Sequence, residues 1–247
     1  MARQGGERTS LTLTAILLSG MSAPTIDELL VADDGERWAE LGFTIAGACC
    51  ELGQVRVRFL PDASARGIVG WSLRDVASTE LDGLPTTISE RSPPSRAAAT
   101  HPNGVVAIDH IVASSPSLNR SVHALQRAGL DIRRIREQPT PAGAPRQAFF
   151  RLGAEILELI QEPDDVVQRM GGDDRPARFW GLALRVENLD QTVAMLGARV
   201  GPIRPAVQPG RCIATVNRSV GLAVPLALMS TPEARPVRPR PRRRAPS

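Results

Sequence analysis

The hydrophobic and polar positions between residues 105 and 162 predict five successive elements. Residues 105–113 are apolar and β-branched, as in a buried strand. Residues 114–116 (Ser-Ser-Pro) supply a helix start, and apolar residues then recur at three- and four-residue steps until Gly129. Three further strands follow, at 131–137, 147–152 and 155–160. The predicted order is therefore β-α-β-β-β.

The segment from 178 to 231 repeats this order. It has a predicted strand, a helix and three more strands, at 179–186, 189–196, 200–203, 212–216 and 222–229. A single βαβββ unit leaves one face of its sheet uncovered, so two such units side by side are the natural way to close a core. We therefore expect residues 105–231 to form one domain of two paired modules.

A weaker echo of the same pattern precedes the pair. Ile26-Asp27-Glu28-Leu29-Leu30-Val31-Ala32 parallels Ile108-Asp109-His110-Ile111-Val112-Ala113, and Gly70-Trp71-Ser72-Leu73-Arg74 parallels Gly181-Leu182-Ala183-Leu184-Arg185. A helix at 35–41 and strands at 43–50 and 55–60 complete the echo. The sequence thus predicts an α+β fold with a degenerate third module, or a module and a half, at 25–78. Residues 79–104 are Pro- and Ser-rich and are expected to be a linker with at most a short helix.

Charge changes the picture only at the carboxyl end. The net charge is +4, but six arginines lie between residues 235 and 244, so the rest of the chain is slightly acidic. Pro-interleaved arginines cannot form a helix or bury apolar area, so 232–247 should be a disordered tail. We expect no specific nucleic-acid partner.

The amino-terminal residues 1–24 are expected to be disordered or a misassigned start, because ordered patterning begins only at Thr25 and Met21 is a plausible true start. The apolar stretch 11–18 is too short to span a bilayer. The cysteine count of three is odd, and two of the cysteines are adjacent, so the sequence contains no disulfide framework. A reducing cytoplasm fits best. No phosphate-binding loop, CxxC pair or HExxH motif occurs, which argues against nucleotide hydrolysis and zinc proteolysis.

Three segments carry a resemblance to a known family. "AIDHIVASSPSLNRSVHALQRAGL", "EILELIQEP" and "GLALRVENLDQTVAMLGARVG" resemble the two halves of vicinal oxygen chelate proteins, the superfamily of glyoxalases, bleomycin-resistance proteins and extradiol dioxygenases. The resemblance covers about half the chain. It implies a small-molecule site in a cavity between the paired modules.

The resemblance also implies where a divalent metal would bind. Enzymes of that family hold it with one residue on the first strand and one on the last strand of each module. The matching positions here are His110, Glu158, Gly181 and Ala227, of which the last two cannot coordinate a metal. Two protein ligands hold a catalytic metal poorly. Glu28, at the echo position of His110, could supply a third ligand, but we expect no resident cofactor.

Two functions therefore stay open. The first is a protein that binds a small molecule between its modules without a full metal site. The alternative is a divalent-metal-dependent lyase, isomerase or dioxygenase that uses His110, Glu158 and Glu28, so the sequence does not decide whether the chain is an enzyme. His110 and Glu158 are the candidate catalytic residues and should point into one cavity. The candidate pocket-lining residues are Phe150, Trp180 and Arg185. A homodimer is also left open.

Overall fold

The computed structural model describes residues 23–61, 64–94, 99–140 and 143–231. The expectations for the chain start and for the Arg/Pro tail lie outside these residues, apart from Ala23 and Pro24. No helix in the described part of the chain is long and apolar enough to cross a membrane.

The elements follow one another in three groups. The first group contains β1 (Thr25–Ala32), α1 (Gly35–Glu40), β2 (Cys49–Leu52), β3 (Val55–Phe59), β4 (Gly67–Arg74) and β5 (Thr86–Ile88). The second contains β6 (Val105–Ser115), α2 (Leu118–Arg127), β7 (Asp131–Arg136), β8 (Gln147–Leu152), β9 (Glu155–Gln161) and α3 (Asp164–Arg169). The third contains β10 (Arg178–Val186), α4 (Leu189–Leu196), β11 (Arg204–Pro205), β12 (Cys212–Thr215) and β13 (Leu226–Ser230).

The second and third groups form one eight-stranded sheet in the order β11-β12-β13-β10-β6-β9-β8-β7. In each half the first strand lies parallel to the last, β6 to β9 and β10 to β13. The two first strands, β6 and β10, pair antiparallel in the middle of the sheet. The predicted pair of βαβββ modules is therefore confirmed.

One strand of the second module is shorter than the sequence predicts. The strand expected at 200–203 is reduced to an isolated bridge between Val200 and Val216, and pairing resumes only in β11. Pro202 and Pro205 have no backbone N–H to donate to a neighbouring strand, which limits the ladder here.

The first group forms a five-stranded sheet in the order β2-β3-β1-β4-β5. Strand β1 is parallel to β3 and antiparallel to β4, the same relations that β6 has to β9 and β10. The strand predicted at 43–50 is absent up to residue 48, and β2 begins only at Cys49. This sheet therefore lacks the strand that would directly follow α1. Phe43 packs instead against Trp38, with ring centroids 5.0 Å apart. Strands β1–β3 with α1 thus form the degenerate module, and β4 and β5 are the partial module that follows it.

The linker contributes a strand to the small sheet, where the sequence predicts loop with at most a short helix. Strand β5 pairs with β4, and the backbone N–H of Trp71 donates to the carbonyl of Pro85 at 3.0 Å. The Trp71 indole N–H also donates to the hydroxyl of Thr86 at 2.7 Å. Side-chain hydrogen bonding of a buried tryptophan therefore helps to order a segment whose own periodicity is weak.

The two sheets share one hydrophobic core. The Trp71 ring of the small sheet lies 5.0 Å from the ring of Phe179, which stands opposite Ala113 in the large sheet. Because side chains alternate along a strand, Ala113 faces away from its neighbour Val112. The small sheet thus packs on one face of the large sheet, and the opposite face, which carries Val112, holds the candidate site.

Candidate functional site

A β-bulge in β6 brings two polar side chains together. His110 stands opposite Ala183 and Ile108 opposite Leu184, so Asp109 is an extra residue in the pairing of β6 with β10. A bulge sets two residues of one strand against one of its partner. The side chains of Asp109 and His110 consequently meet, with Nδ1 of His110 2.9 Å from Oδ2 of Asp109.

The strand register brings His110 to Glu158. Val112, two residues after His110, stands opposite Glu158 in the parallel pairing of β6 and β9. Oε2 of Glu158 lies 3.2 Å from Nε2 of His110. The structure thus brings the two candidate residues into contact, but of the two only His110 is among the residues that line the adjacent cavity.

Gln147 supports Glu158 from the next strand. Its amide N–H donates to Oε1 of Glu158. The amide oxygen of Gln147 is buried and has no hydrogen-bond partner among the described residues. Glu158 therefore lies between a ring nitrogen and an amide nitrogen.

Arg211 holds Asp109, on the side of His110 away from Glu158. Its Nη2 and Nη1 donate to Oδ1 and Oδ2 of Asp109 at 2.6 and 3.1 Å. Burial raises the pKa of Asp109, but the hydrogen bonds from His110 and Arg211 outweigh it and lower the pKa to about 2. Asp109 is thus a permanent anion beside His110 at neutral pH. Sequence reasoning missed this pair, because the two residues lie 102 positions apart and no periodicity connects them.

A cavity of about 290 Å³ opens beside His110. It is lined by Asp109, His110, Arg133, Arg134, Phe149, Ile156 and Gln208. The guanidinium of Arg134 lies 5.0 Å from the centre of the Phe149 ring. The wall of the cavity thus combines cationic groups with apolar surface.

The three predicted pocket-lining residues do not line this cavity. Phe149 stands opposite Glu158 in the sheet, so Phe150 faces the other side and is fully buried in the core. Trp180 is 52% exposed, at the register shift between Phe179 and Gly181. Arg185 lies at the far end of β10, opposite Ala107. The sequence suggested the wrong member of the Phe149–Phe150 pair, because two adjacent aromatics do not reveal which one faces the core.

Glu28 is not brought to His110 and Glu158. Its carboxylate accepts hydrogen bonds from Nη2 and Nε of Arg58 at 2.9 and 3.1 Å. Its neighbour Leu29 is fully buried in the core, so Glu28 faces the outer side of the small sheet. The structure therefore gives Glu28 an ion-pair partner, and it does not bring Glu28 to the candidate site.

The structure also tests whether a divalent metal fits. Ala183 stands opposite Ala227 as Val112 stands opposite Glu158, so Gly181 and Ala227 occupy the positions equivalent to His110 and Glu158. A Cβ atom on Gly181 would lie 2.6 Å from the carbonyl oxygen of Pro225.

Within the described ranges, no three His, Cys, Asp or Glu side chains are grouped to hold a metal ion. The residues present therefore do not fit a metal held by three protein ligands.

No protein-family model and no curated protein matches the chain. Among solved structures, a xylose isomerase-like TIM barrel/4-hydroxyphenylpyruvate dioxygenase fusion protein aligns with 89% of the chain, at 13% identity and a TM-score of 0.58. The chain spans about half, 51%, of that protein. Methylmalonyl-CoA epimerase from Mycobacterium tuberculosis aligns with 53% of this chain and 92% of its own, at 18% identity and a TM-score of 0.44. The S115T methylmalonyl-CoA epimerase of Streptomyces coelicolor aligns with 52% of this chain and 96% of its own, at 18% identity and a TM-score of 0.42.

Identities this low show the fold alone, and the alignment with the fusion protein extends over most of the chain. The chain has the fold of the vicinal oxygen chelate superfamily.

Proposed function

We propose that the chain binds a small organic anion with an apolar portion in the His110 cavity, and that it does so without a metal ion. The observation that carries the proposal is the pairing of Arg134 with Phe149 in the cavity wall, at 5.0 Å. A guanidinium on an aromatic face keeps its N–H donors free for a carboxylate or phosphate.

The charges around the cavity favour an anionic ligand. Arg211 neutralises Asp109, the acidic residue in the lining. Arg134 makes no ion pair with a carboxylate among the described residues. Arg133 has only a distant contact with Asp131, at 3.8 Å, and both side chains are more than half exposed. Two guanidiniums are therefore available to an incoming anion.

The size and apolar surface of the cavity limit the ligand further. A volume of about 290 Å³ lies near the lower end of the range for ligand pockets, roughly 300–1,000 Å³. Phe149 and Ile156 offer the apolar contacts, and His110 offers a polar one. A compact organic acid with a hydrocarbon or aromatic portion satisfies both kinds of surface.

Calorimetry with two matched probes tests the proposal. We expect 3-phenylpropanoate to bind. The amide 3-phenylpropanamide has the same shape without the charge, and its affinity should be lower by a factor of about ten or more, because a hydrogen bond to a charged group contributes roughly 1.5–3 kcal/mol. Arg134→Gln should reduce this preference, because only Arg133 then remains as a free guanidinium among the described lining residues. Arg127→Gln, an exposed arginine on α2, is the control and should bind as the wild type does. Equal affinity for acid and amide would show that the cavity does not recognise anions.

Metal analysis tests the second half of the proposal. Protein purified without chelator should contain no stoichiometric divalent metal, because only His110 and Glu158 of the four family positions can coordinate one. A near-stoichiometric metal would overturn the metal-free site and favour a metal-assisted lyase, isomerase or dioxygenase.

A further inference from the structure

Arg211 joins three segments behind the cavity. Its Nη1 and Nη2 atoms donate to both carboxylate oxygens of Asp109 on β6. Its Nε donates to the backbone carbonyl of Ser230 on β13 at 2.9 Å. Its Nη1 also donates to the side-chain oxygen of Gln208, in the loop before β12, at 2.8 Å. One guanidinium therefore ties the first module to the last strand and a loop of the second.

The shape of the guanidinium is essential to this arrangement. The Arg211 side chain is only 9% exposed, and the N–H donors of its planar guanidinium reach three different acceptor groups, on Asp109, Ser230 and Gln208. A lysine ammonium carries the same charge, but it cannot hold a carboxylate at two points while also reaching two other acceptors.

Asp109 connects Arg211 to His110. Its Oδ2 atom contacts both Nη1 of Arg211 and Nδ1 of His110. A carboxylate held at both oxygens is not free to rotate, so the imidazole keeps Nδ1 toward Asp109 and Nε2 toward Glu158. The orientation of the ring in the cavity thus depends on a residue of the other module.

Gln208 forms a second connection. It lines the cavity, and its side-chain oxygen is held by Arg211. Among the described residues, it is also the one lining residue that comes from the second module. The part of the cavity wall that Gln208 forms is therefore held by the same guanidinium that, through Asp109, holds His110.

We infer that Arg211 is a positioning residue for ligand binding, which orients His110 through Asp109 and holds the Gln208 wall of the cavity. Arg211 is not itself among the residues that line the cavity. The inference deepens the proposed function and rests on it for the affinity measurement, but the orientation of His110 can be measured without any ligand.

The test compares three variants of the full chain. Arg211→Lys keeps the charge, Arg211→Gln removes it, and Arg204→Gln removes an exposed charge from neighbouring β11 as the matched control. Affinity for 3-phenylpropanoate is measured by calorimetry. Solvent exchange of the His110 ring N–H is measured by ¹⁵N NMR, which is simplified because the chain has only three histidines. Loss of one ring signal in His110→Gln assigns it.

Both Arg211 variants should weaken binding and speed ring N–H exchange, each by about tenfold or more, because a locally opened hydrogen bond exchanges faster. Arg204→Gln should match the wild type in both measurements. Equal losses in the Lys and Gln variants would show that the fork geometry, not the charge, is required. A wild-type ring exchange rate in both Arg211 variants would overturn the inference.

Two further outcomes are separable. If even the wild type binds no probe, the proposed function fails, whereas ring exchange still decides whether Arg211 positions His110. If the Arg211 variants do not fold, Asp109→Asn keeps Arg211 and the shape of the side chain. It should release the His110 ring, and unchanged exchange in that variant would contradict the inference.

Discussion

Oε2 of Glu158 lies 3.2 Å from Nε2 of His110, while Nδ1 of the same ring faces Asp109. The imidazole thus stands between two carboxylates, of which only Asp109 is paired with an arginine of the second module.

Glu158 adds negative charge close to a cavity proposed to bind anions. Glu158→Gln should therefore increase the affinity for 3-phenylpropanoate, by about threefold to tenfold, since charges a few ångströms apart near a protein surface interact by roughly 1 kcal/mol or more. Glu187→Gln, an exposed residue after β10, should leave the affinity unchanged. Calorimetry on the two variants checks this, and weaker binding in Glu158→Gln would show that the carboxylate contacts the ligand favourably.

His101 should make the fold sensitive to mild acid. The backbone N–H of Thr44 donates to its Nδ1 at 3.0 Å, so Nε2 carries the proton and lies 3.0 Å from the carbonyl of Glu51. Burial lowers the pKa of His101, although the bond to Glu51 opposes this. The unfolded chain then takes up a proton at higher pH than the folded chain. Stability from this residue is complete above about pH 6.5 and is lost as the pH falls through the folded pKa.

Urea unfolding at pH 7.5 and 5.5 measures this effect. The loss of stability between the two pH values should be smaller in His101→Gln than in the wild type. His123→Gln, an exposed histidine on α2, should behave as the wild type. If His101→Gln lost as much stability as the wild type, other groups would account for the acid sensitivity.

Gly181 should not accept a side chain. A Cβ atom there would approach the carbonyl oxygen of Pro225 to 2.6 Å, so Gly181→Ala should destabilise the fold by about 1–3 kcal/mol. Gly201→Ala is the control, because the nearest atom to its added Cβ is 3.6 Å away. Chemical denaturation of both variants tests this. Equal stabilities would mean that the β10–β13 region relaxes easily and that a metal-coordinating side chain could be introduced at position 181.

The buried pair of Asp27 and Arg74 should be the most sensitive charge contact of the small sheet. Both side chains are 7% exposed, and Arg74 also donates to the carbonyls of Ile26 and Arg91. Arg74→Ala leaves the buried carboxylate of Asp27 with the Ser89 hydroxyl and only a distant arginine, Arg91 at 3.9 Å, and should cost about 3 kcal/mol. Arg169→Ala breaks an exposed pair on α3 and should cost less than about 1 kcal/mol. Comparable losses would contradict the burial argument.

The sequence predicted the paired modules well because their hydrophobic pattern is regular. On α2 the apolar residues Leu118, Val122 and Leu125 fall at three- and four-residue steps, and all three are buried. The proximity of His110 and Glu158 also follows from strand alternation and register.

Features that depend on long-range contacts were not predictable. The three residues of strand β5 are β-branched, but so short a run does not by itself predict a strand, and it is ordered by pairing with β4 and by the hydrogen bond from Trp71. The contact between Arg211 and Asp109 joins positions 102 residues apart, and Phe149 and Phe150 are chemically identical, so only the structure shows which ring faces the core.

The bulge at Asp109 changes the even–odd phase of β6. Ile108 and Ile111 are both buried in the core although they are three positions apart, which regular alternation does not allow. Without Asp109, the two isoleucines would be separated by His110 alone and would still point to the core. Core packing therefore does not require Asp109. It is an inserted residue in β6, and among the described residues its side chain bonds only to Arg211 and His110.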